Sequence, residues 1–205
     1  MNLLIFASTL ILALILSSRI KKSNNSAEKR MEAFFEKENK ANFVRKKNLD
    51  NLPYITIPEE FFTYSLPLEH PRAKDAFDYL CHLKSCKIVN FTGISNTDLK
   101  LEYGTANITV LSEYDQNYTS LVRSLQTLGE SCYDNGQLNE AAKLLEFALD
   151  TGTDISKSYI LLARIYSETN QFEKKNRLVA QAKKLNSVMT PSILRSIEEF
   201  LPEES

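Results

Sequence analysis

Residues 125–148 read LQTLGESCYDNGQLNEAAKLLEFA, and residues 159–182 read YILLARIYSETNQFEKKNRLVAQA. Shifted by 34 residues, the two stretches superimpose at nine positions. Leu125 meets Tyr159, Leu128 meets Leu162, and Gly129 meets Ala163. Cys132 meets Tyr166, Gly136 meets Asn170, and Leu138 meets Phe172. Leu144 meets Leu178, Leu145 meets Val179, and Ala148 meets Ala182. Large stands on large and small on small. The turn position is Gly or Asn, the residue types that best tolerate positive φ. Apolar spacing of three and four residues on either side of that turn predicts two helices per copy. Gly129, Ala163, Ala148 and Ala182 are the places where helices approach closely. Such a helical hairpin cannot bury its apolar face alone, so copies must stack.

The surroundings agree with an all-α chain. Only 5 Gly and 6 Pro occur in 205 residues, and Leu, Lys, Glu and Ala are abundant. After the second copy, Thr190-Pro191 is expected to be an N-cap and first-turn proline of a capping helix. Ile193, Leu194, Ile197 and Leu201 would form its apolar face, with Glu198, Glu199, Glu203 and Glu204 in water. Before the first copy, Ala76, Phe77, Leu80 and Leu83 predict a helix over 72–86. A short helix is expected from Ser95, as N-cap, to Tyr103, stopped by Gly104. Residues 105–114 read as a loop. The region 72–114 is expected to pack on the repeats and complete the stack.

Further upstream, Pro53 and Pro58 bracket Tyr54-Ile55-Thr56-Ile57, which makes residues 48–71 an extended arm. Its Tyr54, Ile55, Ile57, Phe61 and Phe62 are costly to leave in water, so the arm should lie on the helical body; a docking motif for a partner is the alternative. Residues 21–47 read as a basic helix with a thin apolar stripe at Met31, Phe34, Phe35 and Phe43. Residues 19–47 carry ten Lys or Arg against four Glu, a net +6, which leaves −7 for residues 48–205. A basic neck beside an acidic body is the wrong distribution for a nucleic-acid binder. The neck's charge suits anionic headgroups or a solvated spacer.

Residues 1–18, MNLLIFASTLILALILSS, hold no charged side chain. As a helix they measure about 27 Å, close to the roughly 30 Å hydrocarbon core. Residues 1–20 are therefore expected to be a single-pass transmembrane anchor. Arg19, Lys21 and Lys22 follow at once, which keeps the C-terminal body in the cytoplasm. A cleaved signal peptide would want a basic n-region and a small-residue cleavage site, both poorly represented here. Three Asn-x-Ser/Thr sequons, at Asn90, Asn107 and Asn117, are the features that argue against this topology.

The chemistry of enzymes is missing from the sequence. His70 and His82 are the only histidines. No phosphate-cradling glycine loop, nucleophile elbow or paired metal motif occurs. Cys81, Cys86 and Cys132 are an odd number and read as small apolar residues. Cys81, His82 and Cys86 would be the start of a metal site, but no second ligand pair follows at a plausible spacing. The expectation is no catalysis, no metal and no cofactor.

The 34-residue pattern resembles the tetratricopeptide repeat (TPR). It covers the chain from about residue 122, with 115–205 holding two TPR-like repeats and the capping helix. Cys132 departs from the family's aromatic, Lys175 from a small residue, and Thr153 and Ser187 from a closing proline. The resemblance implies an α-helical solenoid whose concave groove receives A-helix residues. These are Arg123, Gln126, Glu130, Tyr133 and Asp134 from the first copy, and Lys157, Ile160, Arg164, Ser167 and Glu168 from the second. Arg123, Lys157 and Arg164 would hold a carboxylate of a protein or peptide partner, with Tyr133 as an apolar contact. The function that follows is a membrane-tethered adaptor or scaffold. An exported small-ligand-binding protein and a targeting receptor at an organelle membrane are the alternatives.

Overall fold

The computed structural model describes residues 2–185 and 189–201; the side chains of residues 2–16, 18, 20, 24 and 26 are outside that description. Eight α-helices occur among the described residues: α1 (Asn2–Asn42), α2 (Pro71–Leu83), α3 (Asn96–Tyr103), α4 (Ile108–Asp134), α5 (Leu138–Asp150), α6 (Ser156–Glu168), α7 (Lys175–Lys183) and α8 (Thr190–Phe200). No strand is present among those residues, so the chain is all-helical. It divides into two compact units. One holds Met1–Leu49 and Gly93–Thr109, the other Asp50–Thr92 and Val110–Ser205.

In the smaller unit, α1 runs unbroken for 41 residues, about 60 Å, because no Pro or Gly interrupts it. The expected anchor and the expected neck are therefore one helix as far as Asn42. Among the described residues no helix is long and apolar enough to cross a membrane. The expected anchor over residues 1–20 falls mostly on positions whose side chains lie outside the description. The helix stops short of the expected residue 47, since the backbone of Lys47 turns away to bond Tyr103 (N to O, 3.0 Å). The short helix α3 packs on the end of α1. Ser95 caps it by accepting from Asp98 N at 3.2 Å. Lys37 pairs with Asp98 at 2.5 Å, and Lys100 pairs with Glu38 and with Asn42. Ala41 and Leu99 are buried between them. The expected block 72–114 is thus divided, with α3 built against α1.

Residues 105–114 are a correction. They are not a loop: a 3-10 turn over Thr105–Asn107 leads straight into α4. Thr, Asn and Val are indifferent helix formers, but no breaker lies among them and Leu111 is fully buried. Burial decided what propensity left open.

The larger unit holds the repeats. The A helix of the first copy is the C-terminal half of α4 and its B helix is α5. In the second copy they are α6 and α7. The two A helices end identically. Gly136 (φ 75°) and Asn170 (φ 55°) adopt the left-handed conformation. Gln137 N bonds Cys132 O at 2.9 Å and Gly136 N bonds Tyr133 O at 2.9 Å. Thirty-four residues later, Gln171 N bonds Tyr166 O at 2.8 Å and Asn170 N bonds Ser167 O at 3.2 Å. Both are Schellman motifs, which satisfy carbonyls that a helix end leaves orphaned.

The core follows the sequence pattern. Leu125, Leu128, Cys132, Leu144, Leu145, Ala148, Tyr159, Leu162, Ala163, Tyr166, Leu178 and Ala182 are all buried in one cluster, with Val179 packed against it. A Cβ at Gly129 would meet the Leu145 side chain at 2.9 Å, so the small residue permits the close approach. Helix α6 packs on α5, α7 and α8, and α8 also packs on α7. Helix α8 begins one residue earlier than expected: Met189 is its N-cap, and Thr190 lies in the first turn, its hydroxyl donating to Leu185 O at 3.1 Å.

The arm lies on this unit. Ile57 and Phe61 enter the core, and Ile55 N bonds Ile88 O at 2.9 Å. The Phe61 ring meets Phe147 edge-on at 5.4 Å. Ser131 Oγ donates to Pro67 O, and Gln137 Nε2 donates to Ser65 O. Helix α2 starts at Pro71, capped by His70, and buries Ala73, Ala76, Leu80 and Leu83.

Candidate functional site

Helical spacing places Glu130, Tyr133 and Asp134 on one face of the last turns of α4. It does the same for Lys157, Ile160, Leu161 and Arg164 on α6. With Phe200 from the end of α8, these residues line one concave site of about 380 Å³. Six of the ten expected groove residues are brought together: Glu130, Tyr133, Asp134, Lys157, Ile160 and Arg164.

The other four are placed differently. Gln126 is buried; its Oε1 accepts from Ser158 Oγ, and its Nε2 donates to Glu130 at 2.9 Å. It fixes the α4–α6 contact from beneath. Arg123 is exposed on α4 outside the site, and Ser167 is half-buried outside it. Glu168 stands on the rim, where it accepts from Tyr133 Oη at 2.6 Å and from Arg164 Nε at 3.1 Å.

These contacts change the expected electrostatics. The Arg164 guanidinium sits 5.1 Å over the Tyr133 ring and is already paired with Glu168. Lys157 lies 3.9 Å from Glu130, a loose and exposed pair. Such pairs contribute about 0–1 kcal/mol each, yet they leave little unmet positive charge in the site. Burial, and then the hydrogen bond to Glu168, raise the Tyr133 phenol above its ordinary range, so it stays a neutral donor. Asp134 lines the site with no ion-pair or hydrogen-bond partner among the described residues.

Sequence reasoning missed Leu161 and Phe200. Phe200 follows Ile197 by three residues and continues the apolar edge of α8, which is the signal that marks it. A second cleft of about 330 Å³ was missed as well. It lies between His70, Arg72 and Ala73 at the start of α2 and Thr127, Glu130, Ser131, Asp134 and Asn135 on and just after α4. Glu130 and Asp134 line both, so the two clefts form one trough across α2, α4, α6 and α8.

The cysteines stand apart from this trough. Cys132 is fully buried and its thiol is pushed up to about 12 by that burial, which leaves it unreactive. Cys86 Sγ lies 3.8 Å from His82 Nε2. No group of three His, Cys, Asp or Glu is placed to hold a metal ion among the described residues. No protein-family model, curated protein or solved structure matches this chain.

Proposed function

We propose that the chain is a membrane-tethered adaptor whose tetratricopeptide-type groove holds a segment of a protein partner. The observation that carries this reading is the concave site itself. Side chains from equivalent A helices, α4 and α6, converge there with Phe200 of α8, which occupies the next A-like place in the stack. The site is open and mixed in polarity, as suits recognition of an extended or helical peptide.

The partner's chemistry follows from the charge balance. Arg164 is engaged by Glu168 and Tyr133, and Lys157 by Glu130. Binding a carboxylate would compete with these internal pairs. Within the cleft between α4, α6 and α8 the unmet charge is the Asp134 carboxylate, beside an apolar floor of Ile160, Leu161 and Phe200. A segment bearing a Lys or Arg next to a large apolar residue fits both features.

Anchoring rests on residues 1–20, an apolar run followed by Arg19, Lys21 and Lys22, at the start of the continuous helix α1. The burial of Asn107 removes that sequon as an argument against a cytoplasmic body. The Asn107 amide is 1% exposed and donates to Lys47 O and Tyr103 O, both at 2.8 Å. The Asn90 amide donates to Thr151 O and the Asn117 amide to Lys87 O. A glycan on Asn107 would be incompatible with this packing.

A photo-reactive phenylalanine analogue in place of Ile160, activated in native membranes, tests the groove. A discrete adduct that disappears when Asp134→Arg is added is the expected result. An adduct indifferent to that change, or none at all, would remove the groove from the account.

A further inference from the structure

The trough across α2, α4, α6 and α8 carries an unmet cation as well as the unmet Asp134. Its ionised side chains are Arg72, Glu130, Asp134, Lys157 and Arg164. Arg164 is engaged by Glu168, and Lys157 and Glu130 by each other. Arg72 and Asp134 have no side-chain hydrogen bond or ion pair among the described residues. They line the same cleft of about 330 Å³, one from α2 and one from α4, without pairing with each other. We infer that Arg72 seats an acidic residue of the partner segment, so that the trough reads acid, base and large apolar group in that order from α2 to α8. This rests on the groove reading and adds a second subsite to it.

The α2 end is built for a carboxylate. Arg72 is exposed in the first turn of α2, and its guanidinium is a planar fork of N–H donors that matches carboxylate geometry. His70 lines the same cleft. Its Nδ1 accepts from Arg72 N at 3.2 Å, so the neutral ring carries its proton on Nε2, a second donor for the acid. Ser131 Oγ and Asn135 Nδ2 already donate to Pro67 O and Ser131 O.

Charge sets the order. An acid is repelled from the α4 wall by Glu130 and Asp134, and a base is repelled from Arg72. A ligand with a single charge leaves either Arg72 or Asp134 unmet. An extended peptide puts every second side chain on one face, about 7 Å apart. Packed helices lie about 8–10 Å apart, and long acidic and basic side chains close the difference. The segment that fits is acid-x-base-x-apolar, with the three side chains on one face.

Binding of synthetic peptides to the full chain in detergent micelles, read by fluorescence anisotropy, tests this. The probes are the capped peptide Ser-Glu-Ser-Arg-Ser-Leu-Ser and its reverse. For whichever direction binds tighter, two further forms are made, one with Glu and Arg exchanged and one with Ser in place of Glu. The exchange should weaken binding about tenfold, and the loss of Glu about fivefold. Arg72→Glu should weaken the parent peptide about fivefold without weakening the form that lacks Glu. Arg72 is exposed and an acid suits a helix's first turn, so this variant keeps its fold. Indifference to the exchange, to the loss of Glu or to Arg72→Glu would overturn the acidic subsite. If those probes are still weakened by Asp134→Arg, the groove itself survives. No binding by any probe at about 1 mM would also overturn the subsite, and the photo-adduct at Ile160 then decides the groove by itself.

Discussion

The two repeat copies share a backbone plan but dock on their neighbours by opposite means. In the first, Phe147 on α5 meets Phe61 of the arm, and Lys143 lies 5.6 Å over the Tyr64 ring. Thirty-four residues on, the same two positions are Gln181 and Arg177 on α7. Both bond Asp150 of the first copy, Arg177 through two contacts at 2.6 and 2.8 Å. The first copy is sealed by aromatic burial and the second by an exposed ion pair. The closest helix approach differs too. Gly129 faces Leu145 in the first copy, while Ala163 and Val179 hold those places in the second. One methyl has moved from one helix to the other with the volume conserved. A repeat is thus a constraint on shape and turn geometry, met by different side chains according to what lies next to it.

The comparison predicts unequal sensitivities. Removing the aromatic seal with Phe61→Ala should cost about 3–5 kcal/mol, since the side chain is 1% exposed; urea denaturation of the full chain reads this. Gly129→Ala should cost about 1 kcal/mol, because overpacking against Leu145 outweighs the gain in helix propensity. Adding Leu145→Val should then recover stability, although Leu145→Val alone destabilises. Additive losses in that double-mutant cycle would show that the two copies do not trade volume.

Asn170→Gly should stabilise by about 0.5–1 kcal/mol, since Gly holds φ 55° without strain and the first copy already uses Gly there. A loss of melting temperature would contradict this. Asp150→Ala should change stability by less than about 1 kcal/mol, because Arg177 is 63% exposed and screened. In the smaller unit, the Glu38 carboxyl is held below its ordinary 4.5 by Lys100 and Thr97. A depressed carboxyl stabilises the fold at neutral pH, and that contribution disappears as pH falls through the lowered value. The α1–α3 contact should accordingly loosen in acid, and Glu38→Gln should flatten the dependence, followed by chemical shifts of Leu99.

Much of this was written in the sequence. The Gly136 and Asn170 turns, the small residues at the helix contacts and the Ser95 and Gly104 limits of α3 are local signals with a direct backbone cause. The arm's burial was legible from its density of large apolar residues. What was not legible depends on distant partners. Residues 105–114 became helical through the burial of Leu111. Gln126 and Ile160 are equivalent in sequence, yet Gln126 is turned beneath Ser158 while Ile160 opens on the site beside Phe200. The basic anchors Lys157 and Arg164 looked available only because Glu130 and Glu168 could not be placed opposite them from spacing alone.

The account depends on the two hairpins forming one stacked body that presents the trough. Amide hydrogen exchange of the full chain measures this most directly. The amides of Leu128, Leu145, Leu162 and Leu178 should open together, with protection agreeing within about tenfold. Exchange in α6 and α7 that is faster by several orders of magnitude than in α4 and α5 would mean that the copies do not stack, and the trough would not exist.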